Sequence, residues 1–264
     1  MSGTPYFMAG LVLSVLVGCD SGPAVDKTAS ALAKIHPEIW PKQASPFAQD
    51  ENLEQRVNAL VNNMSLEEKV GQTIQADIAS VTPDQVREYH LGSILNGGNS
   101  APGDDNRTTP AAWVALADEF WLASTDKRDG RIGIPALWGT DAVHGHNNLI
   151  GATLFPHNIG LGATANAALL KDIGEAIALE VLSTGVAWTF APTVAVPQDD
   201  RWGRTYEGFS ENPELVSKLG KAMIVGLQGE GTKFLDNNHV IATAKHFMGD
   251  GGTINGVDQG DAIV

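Results

Sequence analysis

Ala187-Trp188-Thr189-Phe190-Ala191 is a short apolar run suited to a buried strand. It leads within a few residues into Arg201-Trp202-Gly203-Arg204-Thr205-Tyr206-Glu207-Gly208-Phe209-Ser210-Glu211. Arginines, aromatic rings and carboxylates crowd into that one connection. Arginine supplies a planar fork of donors, and tryptophan or tyrosine a flat apolar face. The pairing suits a neutral ligand that is rich in hydroxyls and flat on one side, as a sugar ring is. A surface loop with an arginine stacked on tryptophan and a salt bridge has the same composition, so the stretch alone leaves both readings open.

The same arrangement recurs along the chain. A strand at 92–95 precedes the polar cluster Asn96–Asn99, and a strand at 135–138 precedes Asp141–Asn148. A strand at 240–244 precedes Lys245–Asp250. Helical patterns lie before and between them. Leu53, Val57, Leu60 and Val61 recur at helical spacing, and Ser65-Leu66-Glu67-Glu68 is a capping box. Residues 111–125 read as an amphipathic helix with Trp113, Ala117, Phe120 and Trp121. A helix over 167–182 carries Leu169, Ile173, Ile177 and Val181 on one face. Asn212 as cap and Pro213 in the first turn open another helix, with Leu215, Leu219 and Met223. Strands repeatedly followed by helices imply parallel βαβ units.

Polar clusters after every strand are the habit of a (β/α)8 barrel, whereas an open doubly wound sheet gathers its ligands at one switch point. No glycine-rich phosphate-cradling fingerprint follows any strand. The expected fold is therefore α/β, a (β/α)8 TIM-type barrel over residues 46–264. That span falls short of the roughly 250 residues typical of such barrels. With Gly260–Val264 barely opening a new element, the barrel is expected to be incomplete at its C-terminus.

Composition bounds the partners. Of 264 residues, 43% are hydrophobic, which supports a sizeable core, and the formal net charge is −14. An acidic chain without clustered Lys and Arg is a poor partner for nucleic acid. A single cysteine excludes an intrachain disulfide, and its address is specific. Phe7–Val17 is uninterruptedly apolar or small and ends in Leu16-Val17-Gly18-Cys19. That run is too short to span a bilayer but fits the apolar part of an export signal. Small residues before Cys19 resemble a bacterial lipoprotein box, although residues 1–18 hold no Lys or Arg. Residues 1–19 are thus expected to be a lipoprotein-type signal with Cys19 as lipidation site, and residues 20–45, rich in Ser, Ala, Pro and Lys, a tether. The expected location is the bacterial cell envelope or periplasm, with membrane contact only through the anchor.

Gly139-Thr140-Asp141-Ala142-Val143-His144-Gly145-His146-Asn147-Asn148 admits a metal reading. His-x-His after a barrel strand is how metal-dependent amidohydrolases begin their metal site, and Lys245 or His246 could add to His144 and His146. The other reading makes both histidines loop-holding groups bonded to backbone.

Taken together, five blocks resemble glycoside hydrolase family 3. They are Met64-Ser65-Leu66-Glu67-Glu68-Lys69-Val70-Gly71-Gln72, the Gly139–Asn148 block, Leu154-Phe155-Pro156-His157-Asn158-Ile159-Gly160-Leu161-Gly162, Arg201–Glu211, and Ala244-Lys245-His246-Phe247. The wording around Asp141 is most similar to the β-glucosidase and exo-β-glucanase members. The resemblance implies hydrolysis of terminal non-reducing β-glucosyl residues from β-glucans or oligosaccharides, with retention and without metal or organic cofactor. It also implies that Asp141, Arg204, Lys245 and His246 hold the glucosyl unit in the −1 pocket. The nucleophile Asp and the acid/base Glu are expected beyond Val264, leaving none of the catalytic pair in this chain. The N-acetylglucosaminidase branch carries Lys-His-Phe-Pro-Gly-His-Gly, where this chain reads Lys245-His246-Phe247-Met248-Gly249-Asp250-Gly251. Lacking that proline and histidine, it does not resemble that branch.

Overall fold

The computed structural model describes residues 49–264 apart from Asn99, Phe247 and Val264. The signal segment, Cys19 and the tether lie outside the described residues. Two helices, α1 (Glu51–Asn63) and α2 (Leu66–Gln72), come before the sheet. The alternating series then runs β1 (Gln75–Asp77), α3 (Pro83–Glu88), β2 (Ser93–Asn96), α4 (Pro110–Ser124) and β3 (Leu137–Thr140). It continues with α5 (Asn158–Ala163), α6 (Ala167–Leu182), β4 (Trp188–Thr189), α7 (Pro213–Gln228) and β5 (Ile241–Ala242). All pairings are parallel and the strand order is β1-β2-β3-β4-β5. Strictly sequential parallel strands keep every crossover turning the same way, so the helices collect on one face and the sheet curves as a barrel does. A doubly wound sheet would reverse its order at a switch point. The expected incomplete α/β barrel is the fold observed.

The register sorts the side chains. Ile94 pairs with Trp138, and Asn96 with Thr140, which pairs in turn with Thr189. These residues share one face by the two-residue period of a strand. On that face Trp138 packs in the core with Trp113 and Phe120 of α4. On the opposite face, Leu137 is 47% exposed because no further strand covers it among the described residues. The helix-side face also holds polar groups, all of them bonded. Asn96 Nδ2 donates to Thr140 Oγ1 at 2.9 Å, Trp138 Nε1 donates to Asn96 Oδ1 at 3.0 Å, and Thr189 Oγ1 donates to Thr140 O at 3.3 Å. A buried amide that uses both of its ends avoids the desolvation cost of an orphaned polar group.

The broadest helix contact joins α6 and α7. Leu170, Ile173, Ile177 and Val181 are buried with Val216, Leu219, Met223 and Leu227. Fully burying each such side chain contributes about 1.5–3 kcal/mol. The helices approach at Gly174 and Gly226, where a Cβ on Gly226 would lie 2.2 Å from the Lys171 carbonyl oxygen. Caps place both helices: Asn166 accepts from Leu169 N at 3.2 Å and Asn212 from Leu215 N at 2.9 Å.

Several boundaries differ from the sequence reading. The strand expected at 135–138 starts two residues later, because Leu137 N is the first amide to join the ladder, donating to Gly92 O at 3.0 Å, and Pro135 has no N–H to offer. The strand expected at 187–191 contracts to Trp188–Thr189 before the Ala191–Pro192 step. The elements β1, α3 and α5 were not anticipated. Their brevity hides any period, although Thr82 and Gln85 form a full capping box at α3.

Candidate functional site

Three connections at the C-terminal ends of β3, β4 and β5 bring the expected pocket residues together. After β3 the chain turns at Asp141. After β4 and β5 the two segments stay paired beyond the strands proper. Lys245 N donates to Pro192 O at 3.0 Å, Val194 N donates to Lys245 O at 2.6 Å, and Thr193 and Lys245 form a parallel bridge. These bonds fix the direction in which Lys245 leaves the sheet. Its Nζ meets Asp141 Oδ1 at 2.7 Å, joining residues 104 positions apart. The Asp141 side chain is 41% exposed and that of Lys245 17%. This ion pair therefore stands at the open end of the sheet, where a ligand can reach it.

Arg204 and His246 form the second half of the cluster. Arg204 Nε and Nη2 donate to the two carboxylate oxygens of Glu207 at 2.9 and 2.8 Å, and Nη2 also meets His246 Nε2 at 2.8 Å. His246 Nδ1 meets Asp250 Oδ2 at 2.6 Å. Burial disfavours the charge on Glu207, but the Arg204 hydrogen bond and charge outweigh it and hold the carboxyl below the usual range. The same Glu207 contact raises the affinity of Arg204 for its proton. All four expected pocket residues thus lie at one end of the sheet, in two bonded pairs. Glu207 and Asp250 are partners to which sequence reasoning gave no role. Their signal was spacing: a carboxylate three residues after Arg204 and another four after His246.

The remaining members of the Arg201–Glu211 stretch divide differently from the opening expectation. Trp202 is 1% exposed and its Nε1 donates to Asp258 Oδ1 at 3.0 Å, so its ring offers no face to a ligand. Arg201 closes on Asp199 in an exposed ion pair at 2.6 Å. The surface-loop reading therefore fits Arg201, and the site reading fits Arg204. Asn158, buried at the start of α5, donates through Nδ2 to Glu207 O at 2.8 Å and ties the two loops together. Gly162 admits the close approach: a Cβ there would lie 1.7 Å from Phe209 O.

The two histidines of the Asp141 block face different partners. A carbonyl can only accept, so His144 donates through Nδ1 to Phe155 O at 2.7 Å, and Phe155 N returns a bond to His144 O at 2.8 Å. His146 is fully buried, and its Nε2 lies 3.1 Å from Thr184 Oγ1. The Thr184 proton is committed to Val181 O at 2.6 Å, so His146 Nε2 is the donor. Burial pushes the His146 pKa down to about 4. Each ring is held by a different partner, His144 by the Phe155 carbonyl and His146 by Thr184. Among the described residues no three His, Cys, Asp or Glu side chains form a group that could hold a metal. The amidohydrolase-type alternative built on His144 and His146 is therefore not supported, and both histidines hold structure.

Residues 65–262 match the model of the glycosyl hydrolase family 3 N terminal domain. A lysosomal beta glucosidase of Dictyostelium discoideum is 31% identical over 220 residues, covering 77% of this chain and 27% of that protein. A periplasmic beta-glucosidase of Salmonella typhimurium is 32% identical over 200 residues, covering 76% and 24%. The crystal structure of an exo-1,3/1,4-beta-glucanase from a Pseudoalteromonas species superposes with a TM-score of 0.81 at 52% identity, covering 85% of this chain and 28% of that one. The chain spans about a quarter of the length of these relatives. Five family blocks, a sequential parallel sheet and a polar cluster at its C-terminal end have one common explanation: the chain belongs to glycoside hydrolase family 3, within that family's N-terminal barrel domain.

Proposed function

We propose that the protein removes terminal non-reducing β-D-glucosyl residues from β-glucans or β-gluco-oligosaccharides with retention of configuration, and that this domain supplies the pocket for the departing glucosyl unit. The observation that carries the reading is the Asp141–Lys245 pair at 2.7 Å beside the Arg204–His246 pair at 2.8 Å, all four at the C-terminal end of the sheet. A carboxylate accepts from vicinal hydroxyls, and the ammonium and guanidinium donate to neighbouring oxygens. Such charge-assisted bonds are about twice as strong as neutral ones. A sugar with a hydroxyl inverted or missing leaves a desolvated charge unpaired, at a cost of about 1–3 kcal/mol or more. The β-glucosidase and exo-glucanase names of the relatives support glucose as the occupant.

Retention needs two carboxylates about 5–5.5 Å apart, one as nucleophile and one as acid/base. We place both beyond Val264, an Asp after a later strand and a Glu further on. Export through residues 1–19, with lipidation at Cys19, is part of the same proposal. The periplasmic and lysosomal relatives support a compartmental enzyme. The test is hydrolysis of an aryl β-glucoside by the full-length protein, with the anomer first released followed by proton NMR. β-Glucose should appear first, and chelator treatment should leave the rate unchanged. Release of α-glucose, or activity that needs Zn²⁺, would refute the reading. The 264-residue chain alone should show no turnover.

A further inference from the structure

Beyond the four pocket residues, the cluster contains two further carboxylates, Glu207 on Arg204 and Asp250 on His246. Donor accounting shows what they do. Arginine has five N–H groups and no acceptor. For Arg204, Nε–H goes to Glu207 Oε1, and the two Nη2 hydrogens go to Glu207 Oε2 and His246 Nε2. Only Nη1, with two N–H groups, has no protein partner among the described residues. Because arginine cannot accept, His246 Nε2 must present its lone pair. The ring proton then sits on Nδ1, donated to Asp250 Oδ2 at 2.6 Å. A doubly protonated or Nε2–H ring would set one N–H against another across 2.8 Å. Asp250, Glu207, His246 and Arg204 thus form one chain of hydrogen bonds that leaves Arg204 Nη1 open among the described residues. Lys245 keeps two Nζ hydrogens beyond its bond to Asp141, and Asp141 keeps Oδ2.

We propose that Asp250 and Glu207 are positioning residues for sugar recognition. Asp250 sets His246 as the neutral Nδ1–H tautomer, so that its Nε2 accepts from Arg204, and Glu207 fixes the guanidinium plane from the other side. The ligand then meets Arg204 only through Nη1. This inference rests on the reading of the cluster as a glucose pocket and adds to it. Through their bond at 2.8 Å, Arg204 and His246, both of them pocket residues, are oriented together. The side chains of Glu207 and Asp250 are 14% and 16% exposed, so each holds its partner with little competition from water.

The readout is inhibition of the full-length enzyme by D-glucose and by its monodeoxy derivatives. The ratio of the inhibition constants for glucose and for the most disfavoured deoxyglucose is insensitive to the fraction of protein that is folded. Glu207→Gln and Asp250→Ala should each lower this discrimination by about fivefold or more, because a charge-assisted contact loses its orientation. Asp250→Asn, which retains an acceptor for Nδ1–H, should recover most of it. Glu207→Gln conserves volume and carries the test alone if Asp250→Ala does not fold. Discrimination unchanged in Glu207→Gln and Asp250→Ala, while Asp141→Ala loses it, would overturn the positioning roles and leave the pocket standing. Discrimination retained in Asp141→Ala as well would overturn the pocket on which the proposal rests.

Discussion

Replacing Asp141 by Asn tests the centre of the site at constant volume. In the free protein the carboxylate accepts one Lys245 hydrogen at 2.7 Å with side chains 41% and 17% exposed. Partial solvation limits the value of that ion pair alone to about 1 kcal/mol. A bound sugar ring excludes the water and adds hydroxyl donors to the same carboxylate. Hydrogen bonds to a charged group contribute about 1.5–3 kcal/mol, against about 1 for a neutral pair. Removing the charge from two such contacts gives a loss of about 1–4 kcal/mol, which is about fivefold or more in kcat/KM. The assay is the initial rate on an aryl β-glucoside for the full-length enzyme, with His144→Asn in parallel. The His144 side chain donates to the Phe155 carbonyl and packs on the His157 ring, both loop-holding contacts, so its replacement should cost far less. A fall in kcat would mean that the bonds strengthen in the transition state, and a rise in KM alone would mean that they bind both states equally. Equal losses at Asp141 and His144 would return the histidines to the site. Wild-type kcat/KM in Asp141→Asn would remove Asp141 from the pocket.

Three further outcomes test the scaffold. Gly226→Ala sets a Cβ 2.2 Å from Lys171 O and 2.9 Å from Gly174 Cα, so α6 and α7 must part. Overpacking of about 1–3 kcal/mol should outweigh the gain of up to about 1 kcal/mol from removing a helical glycine, and the urea midpoint should fall. Asn212→Ala removes the cap on Leu215 N and should cost about 1 kcal/mol in the same measurement, with enzyme kinetics unchanged. His146, its pKa lowered to about 4 by burial, makes stability depend on pH. The unfolded chain takes up this proton as pH falls through about 6.5, whereas the folded chain does so only near 4. The contribution is therefore complete above about 6.5 and is lost, on the order of 3 kcal/mol, as pH falls towards 4. Urea midpoints at pH 7 and 5 should differ less in His146→Gln than in the wild type, and an equal difference would show that His146 does not titrate as buried.

What the sequence revealed, and what it concealed, follows the range of the forces involved. The bounds of α6 were legible to the residue, as was the start of α7 at Pro213. Asn212 and Pro213 act within one turn, and the apolar face repeats over four turns. Strand ends were not legible, because two to four paired residues carry no period and their ends depend on neighbours such as Gly92 and Pro192, far away in the chain. The column Asn96–Thr140–Thr189 was invisible for the same reason: each residue is an ordinary polar strand end until the register aligns the three.

The site divides along the same line. Asp141, Arg204, Lys245 and His246 were named through a resemblance, which carries residue identity but no geometry. Their pairing at 2.7 and 2.8 Å depends on the continued bonding of Thr193–Val194 to Lys245 beyond β4 and β5. Trp202 shows the reverse error. Residue type alone made it a stacking platform, but the Asp258 acceptor and the surrounding burial turn the ring inward, where it supports the loop that carries Arg204. Local chemistry therefore predicts which groups a sugar pocket needs, whereas long-range register decides which of them face the sugar and which hold the others in place. Glu207 and Asp250 belong to that second class. They lie three and four residues from the groups they hold, yet their role emerged only once Arg204 and His246, 42 positions apart, were found to meet at 2.8 Å.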